Sequence, residues 1–513
     1  MSSSTGAAAD SAADTSAGSS DTIPGPSDSD AAPSVRAVIF GPSRRATTVG
    51  VLLLISMVAF EAMGVGTAMP ALVADLGALP LYAWPFVTFM AAAVFGTALG
   101  GRWCDLAGPR MPLVAAPLLF GAGLIVAGTS GGMPQLLVGR VLQGLGAGAT
   151  TVAIYVLIAL VYPERTRPAV FGLMSGAWVL PSLVGPPVSG LVTERFSWHW
   201  VFLGLVPVAG LAVALVVPAV RRLGPPAAGS AAGPDGAPAP APAAGAAAGS
   251  AVDPAAGHAV DPGTGPARGP IVLSALGAAL GVAGLSWAGQ HPGAAAAGAL
   301  AVAVLVLVPS MRRLLPTGVF RGAPGVAAVV ACRGLLAGGF FTANAYLPLM
   351  LTNTHHWSLT AAGTPLVVSA LGWSSASAWQ GNHPDLPRPR MLRIGFALVV
   401  VGLAGLVPVA AGWIPGWVAL LAWAAAGTGM GLGFSAVSFL LLRVSGPAEV
   451  GFNSSAAQMA DQLTTATMIG VGGALLMLLG SPAGALPVLL AVLIGLAGCG
   501  LGLAARTGRR SRT

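Results

Sequence analysis

Lysine is absent from this 513-residue chain, and all 24 basic residues are arginines. The absence excludes the phosphate-binding loop of a nucleotide-driven pump, which needs its lysine on the phosphates, and it excludes Schiff-base chemistry. Work against a gradient would have to draw on ions or on a separate ATPase subunit. Charge of either sign is scarce. Only 8% of residues are charged, against about 25% in soluble domains. With 55% of residues hydrophobic, this is the composition of a protein that crosses a membrane many times. Cysteine is scarce as well: Cys104, Cys332 and Cys499 have no metal-ligand spacing and read as free thiols packed as small hydrophobes. The apolar runs hold no Ser/His/Asp set and no metal cluster, so the chain does not read as an enzyme. His355 and His356 are adjacent in an outer loop, and neither a metal nor a cofactor is expected.

What is present is a series of apolar runs long enough to span a bilayer. Residues 1–44 open on Ser, Ala, Gly and Asp, and are expected to form a disordered cytoplasmic tail without signal-peptide features. Six runs follow within 45–222, at about 49–71, 82–101, 112–129, 134–160, 168–192 and 198–220. The Pro/Ala/Gly-rich segment 223–270 cannot bury a core and reads as a flexible cytoplasmic linker. Two poorer spans occupy 271–311. Six more fill 312–506, at about 325–350, 360–381, 391–411, 416–442, 453–479 and 484–505, and 507–513 is a basic cytoplasmic tail. The expected fold is all-α and integral to the membrane, with two six-helix bundles and two additional spans, fourteen transmembrane helices in all.

Arginine placement tests that count. With the N-terminus inside, cytoplasmic segments hold 21 of the 24 arginines; Arg195 falls outside, and Arg140 and Arg333 fall within spans. Dropping one span would scatter the later arginines to the wrong face, so the positive-inside rule favours an even count with both termini cytoplasmic. The net charge of +8 is then topological, and a nucleic-acid partner is not expected.

One polar interruption recurs. Gly101-Arg-Trp-Cys-Asp-Leu-Ala-Gly-Pro-Arg-Met111 returns 280 residues later as Gly381-Asn-His-Pro-Asp-Leu-Pro-Arg-Pro-Arg-Met391, with Gly101/Gly381, Asp105/Asp385, Leu106/Leu386, Pro109/Pro389, Arg110/Arg390 and Met111/Met391 coinciding without a gap. A charged loop repeated between spans implies two like halves, and two like halves in a bilayer suggest a transporter with its site at the seam.

Gly101-x-x-x-Asp105-x-x-Gly108-x-Arg110 resembles the loop signature of the major facilitator superfamily, between its second and third spans. Trp103 supplies that signature's hydrophobic position, whereas Leu106 and Met111 stand where basic residues are usual. The glycine would let two helices approach, and Asp105 with Arg110, echoed by Asp385 and Arg390, would latch one conformation and release it in the other. Leu137-Val-Gly-Arg140-Val-Leu-Gln143-Gly144-Leu-Gly146-Ala-Gly148 resembles that family's fourth-span signature. The second half repeats its glycines as Gly429-Met-Gly431-Leu-Gly433, with Ala425 where Arg140 would map. In the family the arginine is tied to proton coupling, the role the resemblance implies for Arg140. Gly172-x-x-x-Gly176 and Pro181-x-x-x-Gly185-Pro186-Pro187-x-Ser189-Gly190 resemble the Gly-Pro signature of its antiporters, with Pro181 and Ser189 departing from the usual glycines. The 6+2+6 plan, with the run Phe60 to Pro70 and Asp75, resembles the fourteen-span drug:proton antiporter branch.

Four ionisable residues fall inside the runs: Glu61, Arg140, Arg333 and Asp461. A guanidinium within a span costs about 2.5–3.5 kcal/mol on the insertion scale and normally carries a role or a partner. Glu61 lies near the midplane as a proton carrier or counter-charge to a cationic substrate, or as a packed or arginine-paired carboxyl. Asp461 shares a polar face with Gln458 and Gln462, as a second protonatable site or a packing network; Arg333 pairs with it or snorkels toward the cytoplasm. Asn344, Tyr346, Tyr155, Trp178, Trp84 and Gln458 are candidate cavity groups for a lipophilic substrate, each also explicable as packing. The resulting expectation is a monomeric, proton-coupled exporter of lipophilic or amphiphilic small molecules in a bacterial cytoplasmic membrane. Lipid export and metabolite uptake on the same fold are the alternatives.

Overall fold

The computed structural model describes residues 35–42, 44–222, 269–291, 293–446 and 449–507. The expected linker and most of both expected tails lie outside these residues. The end of the N-terminal tail is helical rather than disordered: Val35–Phe40 forms a short helix whose Ile39 is buried, and Thr48 Oγ1 donates to the Ile39 carbonyl at 2.8 Å. The Val-Ile-Phe cluster there gives the segment an apolar side to bury.

Among the described residues, fourteen long helices carry the fold. In the first half they are α1 (Arg45–Asp75), α2 (Trp84–Ala107), α3 (Arg110–Gly128), α4 (Met133–Val161), α5 (Arg167–Arg195) and α6 (Val206–Arg222). Next come α7 (Gly269–Gln290) and α8 (Ala294–Leu314). The second half comprises α9 (Val326–His355), α10 (Thr364–Gly381), α11 (Arg388–Ala410), α12 (Val418–Val444), α13 (Val450–Leu479) and α14 (Pro482–Ala504). Their boundaries follow local chemistry. Ser481 caps α14 by accepting from the Gly484 amide, proline opens α2, α4 and α10, and α2 stops at Gly108, whose φ of 71° suits glycine. Among the described residues, thirteen of the long helices are apolar enough to cross a membrane. The fourteenth, α10, carries Ser369, Ser374, Ser375, Ser377 and Gln380, which lower its hydropathy.

The halves repeat each other in packing. In the first, α1 meets α5 and α6, α4 meets α2 and α3, and α3 meets α6; in the second, α9 meets α13 and α14, α12 meets α10 and α11, and α11 meets α14. Alternating helix direction gathers the arginines at one end. There Arg44 donates to the Val161 carbonyl, Arg110 to that of Arg221 and Arg506 to that of Gly322. At the other, arginine-poor end lie the exposed Trp200, Trp413 and Trp417, the belt expected at a membrane surface. The halves are tied together at this end. Tyr82 Oη donates to the Ala345 carbonyl at 2.8 Å, and the Glu194 carboxylate accepts from the Thr360 amide at 2.9 Å and its hydroxyl at 2.8 Å. The α7–α8 pair lies over the α2–α13 seam, with α7 touching both halves.

Glycines set how closely α4 approaches its neighbours. A Cβ on Gly144 or Gly148 would sit 2.3 Å from the carbonyl oxygen of Phe89 or Ala93 in α2, and one on Gly146 would sit 2.5 Å from the Phe120 amide nitrogen in α3. The same arrangement recurs on α12. Gly427 and Gly431 press on the carbonyls of Ser369 and Trp373 in α10, and Gly429 presses on that of Gly395 in α11. No side chain larger than hydrogen fits such contacts.

Candidate functional site: two buried ion pairs

Near the middle of α1, Glu61 points at α4 and forms an ion pair with Arg140 through Oε1 and Nη1. The same Nη1 donates to Gln143 Oε1 at 2.6 Å, and Nε donates to the Pro85 carbonyl at 2.9 Å. The guanidinium lies over the Phe89 ring, 4.5 Å from its centroid, a cation–π contact that strengthens away from water. Glu61 is 1% and Arg140 2% exposed, so the pair satisfies two charges that lipid would not tolerate singly. Satisfaction is incomplete. Glu61 Oε2 and Gln143 Nε2 have no partner among the described residues.

The second half holds a neutral pair in the same place. Trp423 Nε1 on α12 donates to Asn344 Oδ1 on α9 at 3.1 Å. Asn344 follows Glu61 by 344 − 61 = 283 residues, and Trp423 follows Arg140 by 423 − 140 = 283. The glycine contacts carry the same offset, since Gly427, Gly429 and Gly431 do for α12 what Gly144, Gly146 and Gly148 do for α4. The counterpart of Arg140 is therefore Trp423, two residues before Ala425. Asn344 is 9% exposed, and its Oδ1 accepts from Trp423.

A second ion pair lies elsewhere in the second half. Arg333 Nε on α9 donates to Asp461 Oδ2 on α13 at 2.8 Å, with the guanidinium 4.3 Å from the Phe434 centroid. Arg333 is fully buried, whereas the Asp461 side chain keeps 13% exposure and its neighbours Gln458 and Gln462 are half-buried. Arg333 Nη1 and Nη2 and Asp461 Oδ1 lack partners among the described residues. Tyr155 of α4 is half-buried against Phe171, with ring centroids 6.1 Å apart. The two pairs differ in depth. Arg140 stands about two turns from the start of α4 and is bonded to the first turn of α2, both at the arginine-poor end. Arg333 and Asp461 stand about two and three turns from the arginine-rich starts of α9 and α13.

The other expected site residues separate into those the fold uses and those it leaves open. Tyr346 is buried, donates to the Ile469 carbonyl at 2.7 Å and lies 5.2 Å from the Tyr82 ring, so it packs the interior. Trp178 is half-buried. Trp84 Nε1 donates to Gln290 Oε1 on α7 at 2.7 Å, tying α2 to the extra pair. In the repeated loop, close helix approach falls on Gly100, against Ala149, and not on Gly101, around which a Cβ meets nothing within 4 Å. Asp105, Asp385 and Arg390 are exposed, and Arg110 Nη2 donates to the Arg221 carbonyl at 3.3 Å. The structural arginine of the second loop is Arg388. It donates to the carbonyls of Gln380, His383 and Pro384 and lies over the Phe439 ring. Of the antiporter-type motif, Gly190 packs on Thr360, Pro186 on Gly363, and Gly185 on Phe60 and Gly64, whereas Gly172 and Gly176 face open space. The α5 seam is thus tight toward the arginine-poor end and loose toward the other.

The fold is two like helical bundles with buried ion pairs, each half a packed unit. The sequence profile of the Major Facilitator Superfamily matches residues 51–468, and the chain belongs to that family. It is 31% identical over 175 residues to Multidrug resistance protein 3 of Bacillus subtilis, covering 34% of each chain. It is 34% identical over 161 residues to the Acurin A biosynthesis cluster MFS-type transporter of Aspergillus aculeatus, covering 31% of this chain and 29% of that one. The chain thus spans about a third of the length of the curated relatives it matches. Among solved structures, a D-xylose-proton symporter superposes with a TM-score of 0.61 at 15% identity, covering 91% of this chain and 97% of that one. An auto-inhibited POT family peptide transporter superposes with a TM-score of 0.61 at 16% identity, covering 91% and 98%. At such identities the likeness is one of fold.

Proposed function

We propose that this transporter exports lipophilic or amphiphilic small molecules in exchange for protons. It would do so as a monomer with fourteen crossings and both termini on the cytoplasmic side of a bacterial membrane. The observation that carries the reading is the Glu61–Arg140 pair, a carboxylate sealed inside a span with one oxygen free of any described partner. Burying a charged pair is hard to justify by stability alone, and a carboxylate whose proton breaks the pair couples protonation to helix position. Asp461, 13% exposed and about three turns from the arginine-rich start of α13, is the second carboxylate, and the halves are tied at the arginine-poor end. Similarity to a multidrug resistance protein supports the substrate class. In inverted vesicles, an imposed pH gradient should drive uptake of a lipophilic cationic dye, and a protonophore should collapse it. Glu61→Gln should fold and insert normally yet lose the pH-driven component. Full coupled transport by that variant would remove Glu61 from the mechanism, and dye movement in the opposite sense would make the protein an importer.

A further inference from the structure

Between α7, α8 and α13 lies a cleft of ≈ 420 Å³, walled by groups such as Leu285, Ala297, Leu300 and Val471. At ~30 Å³ for a group the size of water, it has room for about a dozen methylenes. Two hydroxyls occur in its wall. Thr467 Oγ1 donates to the Leu463 carbonyl at 2.7 Å. Ser286 Oγ has no acceptor among the described residues although Ser286 is only 2% exposed, and it lies where a Cβ on Gly470, another wall residue, would meet it at 2.3 Å. A buried hydroxyl with no acceptor is unfavourable and implies a missing partner. Ser286 stands one turn, about 6 Å, before the end of α7. There the half-exposed Trp287 stacks on His291 with centroids 4.5 Å apart, an aromatic anchor of the kind found at headgroup level. Glycerolipid ester carbonyls occupy the depth just below the headgroups.

We propose that the cleft is a lipid site. It holds one acyl chain of a glycerolipid from the leaflet at the arginine-poor end, with the ester carbonyl accepting from Ser286 Oγ. The cleft is walled by α7, α8 and α13, and α7 itself also packs on α2 of the first half. The inference needs only that the helices span a bilayer, so it stands or falls apart from proton coupling.

The test uses the full chain in vesicles containing phosphatidylglycerol with a photoactivatable diazirine on one ester-linked acyl chain, beside the ether-linked analogue. Cross-links mapped by mass spectrometry should be severalfold more frequent at Leu300 and Val471 than at Leu305, which is 73% exposed on α8. Ala297→Trp, which fills the cleft, should remove that excess and leave Leu305 labelling unchanged. Leu300→Trp at the mouth serves the same purpose if the first variant does not fold. Wild type should label more with the ester than with the ether probe, and Ser286→Ala should erase the difference. Equal labelling of the cleft and Leu305 would mean surrounding bilayer lipid only and overturn the site; equal labelling by ester and ether probes would overturn the role of Ser286. Displacement of the probe by a transported dye would assign the cleft to substrate and overturn the proposal as well.

Discussion

Arg140 makes four interactions that a lysine cannot reproduce together: Nη1 to Glu61 and to Gln143, Nε to the Pro85 carbonyl, and a cation–π contact with Phe89. Lysine would keep the charge but not the fork. Arg140→Lys is therefore expected to be transport-deficient nearly to the level of Arg140→Ala while reaching the membrane normally, as dye efflux and surface labelling would record. A lysine variant with near-normal efflux would mean that charge alone matters there. Asp461 calls for a different measurement. If it carries a proton, Asp461→Asn should lower the number of protons exchanged per dye molecule; an unchanged stoichiometry with lower stability would assign the Arg333–Asp461 pair to packing. The four buried charges were legible in the sequence because ionisable residues are rare in apolar runs. The Arg333–Asp461 pair was one of two readings open for Arg333, whereas the arginine that Glu61 meets was not legible, since pairing depends on helix rotation. Asn344 and Tyr346 look like cavity groups in sequence; in the fold Asn344 Oδ1 accepts from Trp423 and Tyr346 Oη donates to the Ile469 carbonyl.

At the scale of the element, glycine carries opposite meanings on α4 and α5. Gly144→Val would drive a side chain into the Phe89 carbonyl and should destabilise by about 1–3 kcal/mol or more, as overpacking does. A Cβ on Gly172 meets nothing within 4 Å, so Gly172→Ala should leave the melting temperature almost unchanged, although it too puts a side chain in place of a motif glycine. Thermal unfolding of the two purified variants in detergent separates the cases, and equal losses would contradict the packing described. The repeat itself was legible from the echo of 101–111 in 381–391, but its register on α12 was not. Gly427, Gly429, Gly431 and Gly433 recur every second residue, so a shift of two residues leaves the glycine pattern almost intact, and only the contacts with α10 and α11 decide it. Arg388 and Arg390 are degenerate in the same way, two residues apart around a proline. The burial of Arg388 over Phe439 distinguishes them.

For the whole molecule, the Glu194–Thr360 contact ties α5 to the entrance of α10 at the arginine-poor end. If transport requires this end to open, joining the two positions should stop it. Glu194→Cys with Thr360→Cys, in a background without Cys104, Cys332 and Cys499, is expected to react with a short cleavable thiol cross-linker. Dye efflux should fall to background, and cleaving the linker should restore it. Undiminished efflux from fully cross-linked protein would mean that the two sites never separate during the cycle. Helix number and alternation could be read from hydropathy and arginine placement; the position of α7 and α8 over one seam could not, because a uniformly apolar helix carries little orienting information. The glycine contacts on both sides of α4 set a limit on how the machine can work. With its backbone clamped between α2 and α3, α4 has no slack in which Arg140 could swing independently. If the proposed coupling operates at Glu61, a displacement of the α4 backbone there would be shared by the whole first bundle, and protonation would act on a lever rather than on one side chain.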